Sequence, residues 1–385
     1  MSEEPVRLGI IGLGNMGSAH CKLLRDVPEL ELAAACDIDV GRLERITSRY
    51  GCQGFADPEA LFASGLCDAV LIATPHYAHT TLGIRALKLG FHLMVEKPIS
   101  VHKADATRLI RAHGGSGQVF AAMFNQRTHP AYLTIREMIL SGTLGEIRRV
   151  QWTITDWFRS QAYYDSGGWR ATWAGEGGGV LLNQCPHQLD LLQWLFGMPT
   201  RLQAFCRFGQ HHSIEVEDDV TTYLEFANGA TGVFTTTTGE APGVNRLEIA
   251  AENGLVVYDD AEAMIRFTRN DKSVTRALAE NRGFDKPETV QEEIPVAGDG
   301  GQHRAVLANF AAAILRHEPL IAPAAEGIGS VEIANAMLLS AWRNRAVDLP
   351  INARSYAALL RRRIAGSNQQ KTVREVLVDD MSGTF

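Results

Sequence analysis

The sequence predicts an α/β protein in two parts: a doubly wound parallel sheet at the N-terminus, then an α+β domain on a large, mostly antiparallel, open-faced sheet. Three observations carry this. Continuous apolar runs of strand length alternate with helical patterns through the first third of the chain. From Gly145 the apolar period changes to two. The length, 385 residues, exceeds that of one ordinary domain.

In the first part the strands are Val6–Gly12, Leu30–Cys36, Ala69–Thr74, Phe91–Val95 and Gln118–Met123. Helical patterns lie over Ala19–Val27, Gly41–Tyr50, His79–Leu89 and Val101–His113. Strands apolar on both faces need helices on both faces, and right-handed crossovers then wind the sheet twice. In the second part Val150–Phe158, Val220–Phe226, Ala230–Thr238, Asn245–Ala251, Gly254–Tyr258 and Met264–Arg269 read as strands, and Asn228-Gly229 is a hairpin signal between two of them. Gln302–His317, Ala324–Arg345 and Asn352–Ile364 read as helices. The expected division is 1–128 for the first domain and 129–324 for the second, with helices of about 325–364 packing back on the first. Asp271–Gly300 reads as an insertion or long edge loop, and 366–385 as a polar tail with a strand-like patch at Val376–Val378.

Composition narrows the partners. Lys and Arg number 37 against 44 Asp and Glu, a net charge of −7. Such a chain lacks the positive field that a phosphate backbone requires, so nucleic acid is not an expected partner. No window approaches a membrane span, and Met1–Arg7 resembles neither a signal nor a transit peptide. The six cysteines form no CxxC pair and read as free thiols, so a reducing cytoplasm is the expected compartment. Glycine is in excess, 36 of 385 residues, which raises the question of where it sits.

One group of glycines lies in Gly12-Leu13-Gly14-Asn15-Met16-Gly17, a G-x-G-x-x-G leaving the first strand and entering the first helix. Gly12 permits the tight turn, Gly14 leaves room for a pyrophosphate, and Gly17 lets helix and strand approach. The amides of Asn15 and Met16 would face phosphates from the helix N-terminus. Asp37 ends the second strand 20 residues past Gly17, where a carboxylate binds ribose hydroxyls and repels a 2′-phosphate. NAD is therefore expected rather than NADP, although the nearby Arg42 would soften that preference. Two motifs occupy later strand ends: Thr74-Pro75-His76-Tyr77-Ala78-His79 and Glu96-Lys97-Pro98. Proline after Lys97 holds it extended, which aims the ammonium across the crevice.

The glycine turn, Asp37, TPxxxH and EKP in this order resemble the Gfo/Idh/MocA oxidoreductase family (glucose–fructose oxidoreductase, inositol dehydrogenase, rhizopine catabolism). The resemblance extends through Phe124-Asn125-Gln126-Arg127, Gly168-Trp169-Arg170 and the stretch Gly177–Gly197, covering roughly 10–360. It implies an N-terminal Rossmann domain, NAD contacts from Gly12, Gly14, Asn15, Met16, Gly17, Asp37, Thr74, Pro75, His79, Glu96 and Lys97, and a proton handled by Lys97 and His187. It also implies pairing through the open sheet face into a homodimer or homotetramer.

Gly177-Gly178-Gly179 is expected to let backbone approach a ligand closely. Asn183, His187 and Asp190 then fall at helical spacings on one face, although Pro186 requires either a helix start near Asn183, which would cap it, or a kink. HxxD is also half of a metal site, but no partner residues accompany it, so no metal is expected. Many family members carry aspartate where this chain has Asn183; an amide neither orients an imidazolium by charge nor accepts its proton. The expected substrate is a polyhydroxyl compound. Trp157, Trp169 and Trp173 offer faces for sugar C–H surfaces, and Arg127 and Arg170 reach oxygens. The expected activity is NAD(H)-dependent hydride transfer at a secondary hydroxyl of a sugar, glycoside or cyclitol. The rivals are an NAD-retaining glycosidase using transient oxidation and elimination, and a non-catalytic cofactor-sensing regulator.

Overall fold

The computed structural model describes residues 4–115, 117–367, 371 and 373. The strand-like patch at Val376–Val378 lies outside the described residues. The first sheet holds β1 (Val6–Ile11), β2 (Leu30–Cys36), β3 (Gln53–Phe55), β4 (Ala69–Ile72), β5 (His92–Val95) and β6 (Phe120–Ala122) in the order β3-β2-β1-β4-β5-β6. Every pairing in it is parallel. The order reverses between β1 and β4, the place where an open α/β sheet leaves a crevice beyond its strand ends. The connecting helices are α1 (Asn15–Leu23), α2 (Val40–Tyr50), α3 (Pro58–Ala63), α4 (His76–Lys88) and α5 (Lys103–His113). Helix α1 starts four residues earlier than its apolar pattern, because Gly14 itself serves as the N-cap.

Then come α6 (Pro130–Leu140), β7 (Ile147–Ile154), α7 (Gln161–Asp165), α8 (Pro186–Phe196), β8 (Arg201–Phe208), β9 (Glu217–Glu225), β10 (Thr231–Thr237), β11 (Asn245–Ala251), β12 (Gly254–Asp259), β13 (Met264–Asn270), α9 (Val274–Glu280) and β14 (Thr289–Pro295). The chain ends in α10 (Gln302–Arg316), α11 (Ile328–Arg343), β15 (Val347–Asp348) and α12 (Ala353–Ala365). The second sheet runs β14-β13-β12-β11-β7-β10-β9-β8-β15. It is antiparallel except where β10 runs parallel to β7. Gly229, at φ +85°, turns the β9–β10 hairpin. The 271–300 segment supplies α9 and the edge strand β14.

One face of this sheet packs under α6, α8 and α11 around Trp152, Phe234, Leu189 and Met337. The return to the first domain differs from the expectation. Helix α10, inside the segment assigned to the second domain, packs into the core of the first: Val306, Leu307, Phe310 and Ala311 join Leu8, Ile10 and Leu71. Helix α11 instead packs mainly on the second core, its N-terminal Val331 reaching the first. Amphipathic period shows that a helix has a buried face, not which core receives it.

Candidate active site

The glycine turn builds the first part of the site. Gly12 has φ +93°, and a Cβ there would lie 2.7 Å from the carbonyl oxygen of Ala73 at the end of β4. A Cβ on Gly17 would lie 1.8 Å from the Gly12 carbonyl oxygen. Gly14 is different: a Cβ there would meet nothing within 4 Å, so the turn opens to space just where α1 presents its N-terminal amides. Asp37 is buried at the end of β2, its Oδ2 accepting from the Leu13 amide at 2.6 Å and its Oδ1 from the Asp39 amide at 2.8 Å. The carboxylate thus fixes the turn from below. Arg42 pairs with Asp39 at 3.6 Å rather than with Asp37.

The ends of β4 and β5 build the second part. Thr74 Oγ1 is buried without a partner among the described residues, beside the exposed Pro75. His79 is fully enclosed, one ring nitrogen 2.8 Å from the Pro98 carbonyl and the other 2.7 Å from that of Thr74. It ties the two strand-end loops together, both ring nitrogens facing protein carbonyls. Glu96 lies 2.6 Å from His20 Nε2 and accepts from the Lys97 amide at 3.1 Å. Burial alone would raise its carboxyl, but His20, His303 and Lys97 hold it at about 2. Lys97 donates from Nζ to the Asn183 carbonyl at 2.8 Å. Burial lowers its ammonium below the ordinary range, with Glu96 and Glu176 opposing and Arg159 and Arg170 reinforcing.

The second domain closes the site. Helix α8 begins at Pro186, with proline in its first turn and Cys185 as N-cap. Asn183 therefore precedes the helix and neither caps it nor shares its face. Its Nδ2 donates to Glu176, and its Oδ1 accepts from the Tyr163 hydroxyl at 3.4 Å. His187 is buried in the first turn of α8, edge-on to Phe124 at 6.2 Å, with Nδ1 unpartnered among the described residues. Burial, reinforced by Lys97 and His303, holds its imidazole well below the usual range. Arg170 donates to the Tyr163 hydroxyl at 2.7 Å and lies over the rings of Tyr163 and Trp169; Trp169 meets His76 edge-on.

Two substrate assignments need correction. Arg127 is 1% exposed and wholly engaged. Its Nε and Nη2 each donate to Asp190 at 2.7 Å, and Nη1 reaches Glu326 at 2.5 Å and the Ile321 carbonyl at 3.2 Å. It is a buried structural fork, not a ligand contact. Trp173 packs in the core against Phe208 and Trp342. Trp157, in contrast, lines a cavity of about 800 Å³ between the two domains, together with Gln126, Gln188, Asp156 and His303. Gln188, one of its lining residues, is the neighbour of His187 on α8. The glycine run also differs from expectation. Cβ atoms on Gly177 and Gly179 would meet Val101 Cγ1 at 2.1 Å and the Glu217 carbonyl at 2.0 Å, so the close approaches are to protein.

Glu176, Tyr163, His20 and His303 were missed by sequence reasoning. Glu176 carried one usable signal, its place directly before the glycine run; the others have no local signature. Among the described residues no group of three or more His, Cys, Asp or Glu is placed to hold a metal, and no helix is long and apolar enough to cross a membrane.

A doubly wound sheet with a glycine turn opening onto a helix N-terminus, an acid at the end of β2 and a lysine across the crevice defines an NAD-binding oxidoreductase. Residues 6–124 match the family model for the oxidoreductase family NAD-binding Rossmann fold, and 132–257 that for the GFO/IDH/MocA C-terminal domain. The chain belongs to the Gfo/Idh/MocA family. It is 23% identical over 349 residues to inositol 2-dehydrogenase of Rhizobium meliloti, covering 89% of this chain and 99% of that one. It is 28% identical over 251 residues to D-glucoside 3-dehydrogenase of Escherichia coli, covering 60% and 69%. The WlbA dehydrogenase of Chromobacterium violaceum, solved with NADH and UDP-GlcNAcA, is 27% identical with a TM-score of 0.77, covering 91% of this chain and 98% of that one.

Proposed function

We propose that this chain oxidises a secondary hydroxyl of a sugar, glycoside or cyclitol, with Lys97 and His187 managing the proton. The observation that supports the reading is the nearness of the partly buried Lys97 ammonium, after β5, to the buried neutral imidazole of His187. The dinucleotide fits the turn at Gly14 and the Asp37 carboxylate, and when bound it supplies the hydride acceptor. The rest is work for the chain. Lys97, anchored on the Asn183 carbonyl, holds the hydroxyl oxygen and stabilises negative charge growing on it. His187, kept neutral by its surroundings, takes the proton. Trp157 and Trp169 offer aromatic faces, and Arg170 and Asn183 offer polar contacts to ring hydroxyls. The names of the inositol and glucoside dehydrogenases support this substrate class. The test is NADH formation across a panel of polyols, aldoses, glycosides and sugar acids. Lys97→Ala and His187→Ala should each lower turnover by roughly 10²-fold or more on the best substrate. Wild-type turnover in both variants overturns the assignment.

We infer that the open face of the second sheet pairs with a second copy, giving a homodimer or homotetramer. Phe205, Tyr223 and Val233 are 60%, 44% and 39% exposed on the adjoining strands β8, β9 and β10, an apolar patch that water covers poorly. Light scattering should give a multiple of the 42.1 kDa chain mass, and a Tyr223→Lys variant should shift it toward that mass; a monomeric wild type refutes the pairing. Six free cysteines, four of them buried, fit the reducing cytoplasm we assign as the compartment.

A further inference from the structure

The neutral amide of Asn183 sits in the wall of the site, and a buried carboxylate stands directly behind it. Glu176 is 1% exposed. Its Oε1 accepts from Asn183 Nδ2, and its Oε2 accepts from the Ala171 amide at 2.6 Å. Both oxygens accept from N–H donors, contacts that favour the ionised carboxylate. Ala171 has φ +53°, a left-handed conformation that a non-glycine residue holds only when its surroundings enforce it. Glu176 thus ties together the two walls of the site: the turn after Trp169-Arg170 and the turn before α8. Through Asn183 it acts on both sides of the crevice, because the backbone of that residue carries Lys97 Nζ and its side chain meets Tyr163, itself held by Arg170.

We propose that Glu176 is a positioning residue that supplies negative charge behind the neutral amide of Asn183, fixing that amide and keeping the Lys97 ammonium charged. The proposal rests on the placing of Lys97 in the active site. The charged groups facing Lys97 are Glu96 beside it, Arg159 and Arg170 from the second domain, and Glu176; His187, His76, His79 and His303 lie within its field. Burial pushes the Glu176 carboxyl upward, while Arg170, Asn183 and the Ala171 amide oppose that. Removing its charge leaves two arginines against one glutamate around the ammonium, so Lys97 should lose its proton at lower pH.

The test compares the whole chain with Glu176→Gln, which keeps shape and loses charge, and with Glu176→Gln combined with Asn183→Asp, which returns a charge nearer the substrate. Competitive acetylation of Lys97 across pH, read by peptide mass spectrometry, reports the ammonium without needing turnover. The midpoint should fall by about half a unit or more in Glu176→Gln and recover in the double variant. On the best substrate kcat should fall about tenfold or more with KM little changed, and the alkaline limb of kcat/KM should move to lower pH. A midpoint unchanged from wild type overturns the proposal, as does a loss confined to melting temperature. A shifted midpoint in a protein that oxidises no compound of the panel supports the role of Glu176 and sinks the substrate reading instead.

Discussion

Two glycine-led turns feed two helices in this molecule, and they use glycine for opposite reasons. In Gly12–Gly17 the chain folds against itself: Gly17 makes way for the carbonyl of Gly12, and the freed position, Gly14, faces open space at a helix N-terminus. In Gly177–Gly179 the chain makes way for other elements, Val101 before α5 and the backbone of Glu217 at the start of β9. The first turn is a receptacle shaped locally. The second is a joint, and its chemistry comes from the carboxylates packed on either side, Glu176 and Glu217. A glycine run beside a site is therefore not by itself a sign of ligand contact.

The sharpest way to break this contrast is at the joint. Gly179→Ala places a methyl 2.0 Å from the Glu217 carbonyl oxygen, backbone that cannot rotate away. It should cost roughly 1–3 kcal/mol or prevent folding, read as a fall in melting temperature without NADH. A variant as stable as wild type would show that the joint is loose. The next effect concerns Glu217, whose Oε1 accepts from the amides of Gly179 and Leu181 at 2.8 and 3.1 Å. Burial raises its carboxyl to about 8. Folded protein then keeps a proton that the unfolded chain releases near the ordinary 4.5, so this contribution to stability is complete below about 4.5 and lost as pH rises toward 8. Glu217→Gln should flatten the decline in melting temperature between those limits; an unchanged slope would mean the carboxyl is already ionised. The smallest stability effect belongs to the receptacle. Gly14→Ala meets no atom and should move stability by only a few tenths of a kcal/mol, while NADH affinity drops about tenfold or more. Unchanged affinity would show that Gly14 is not kept open for the dinucleotide.

The same contrast explains what the sequence disclosed. Gly12, Gly17, Asp37 and the Asn228-Gly229 hairpin act through their own backbone or an adjoining strand end, so their spacing reveals them. Residues whose roles depend on distant partners do not reveal themselves. Arg127 looks like a ligand contact until Asp190, 63 positions away, takes both prongs of its fork. Asn183 looks helical until Pro186 is seen to start the helix. Helix α10 was legible as a helix within a residue of its ends, but its destination in the first core was set by Val306, Leu307 and Phe310 matching a surface that no local pattern describes. Glu176 offered only its place before the glycines, because its role depends on Ala171 and Asn183 meeting it.

The return of α10 gives the molecule three covalent crossings between its domains, at 123–130, at 296–302 and, where the chain leaves the first core for α11, at 324–331. The first two lie against each other: a Cβ on Gly300 would fall 1.8 Å from the Thr128 carbonyl oxygen, and Asn125 Nδ2 donates to Gln302 at 2.6 Å. Two lobes joined by a single thread can swivel about it, whereas lobes joined by several threads, two of them bonded to each other, are held closer to bending, as a book is at its spine. Gln126, His129, Gly298, Gly301 and Gln302 sit along that spine and also line the inter-domain cavity. A change in the angle between the lobes would therefore act directly on the wall of that cavity.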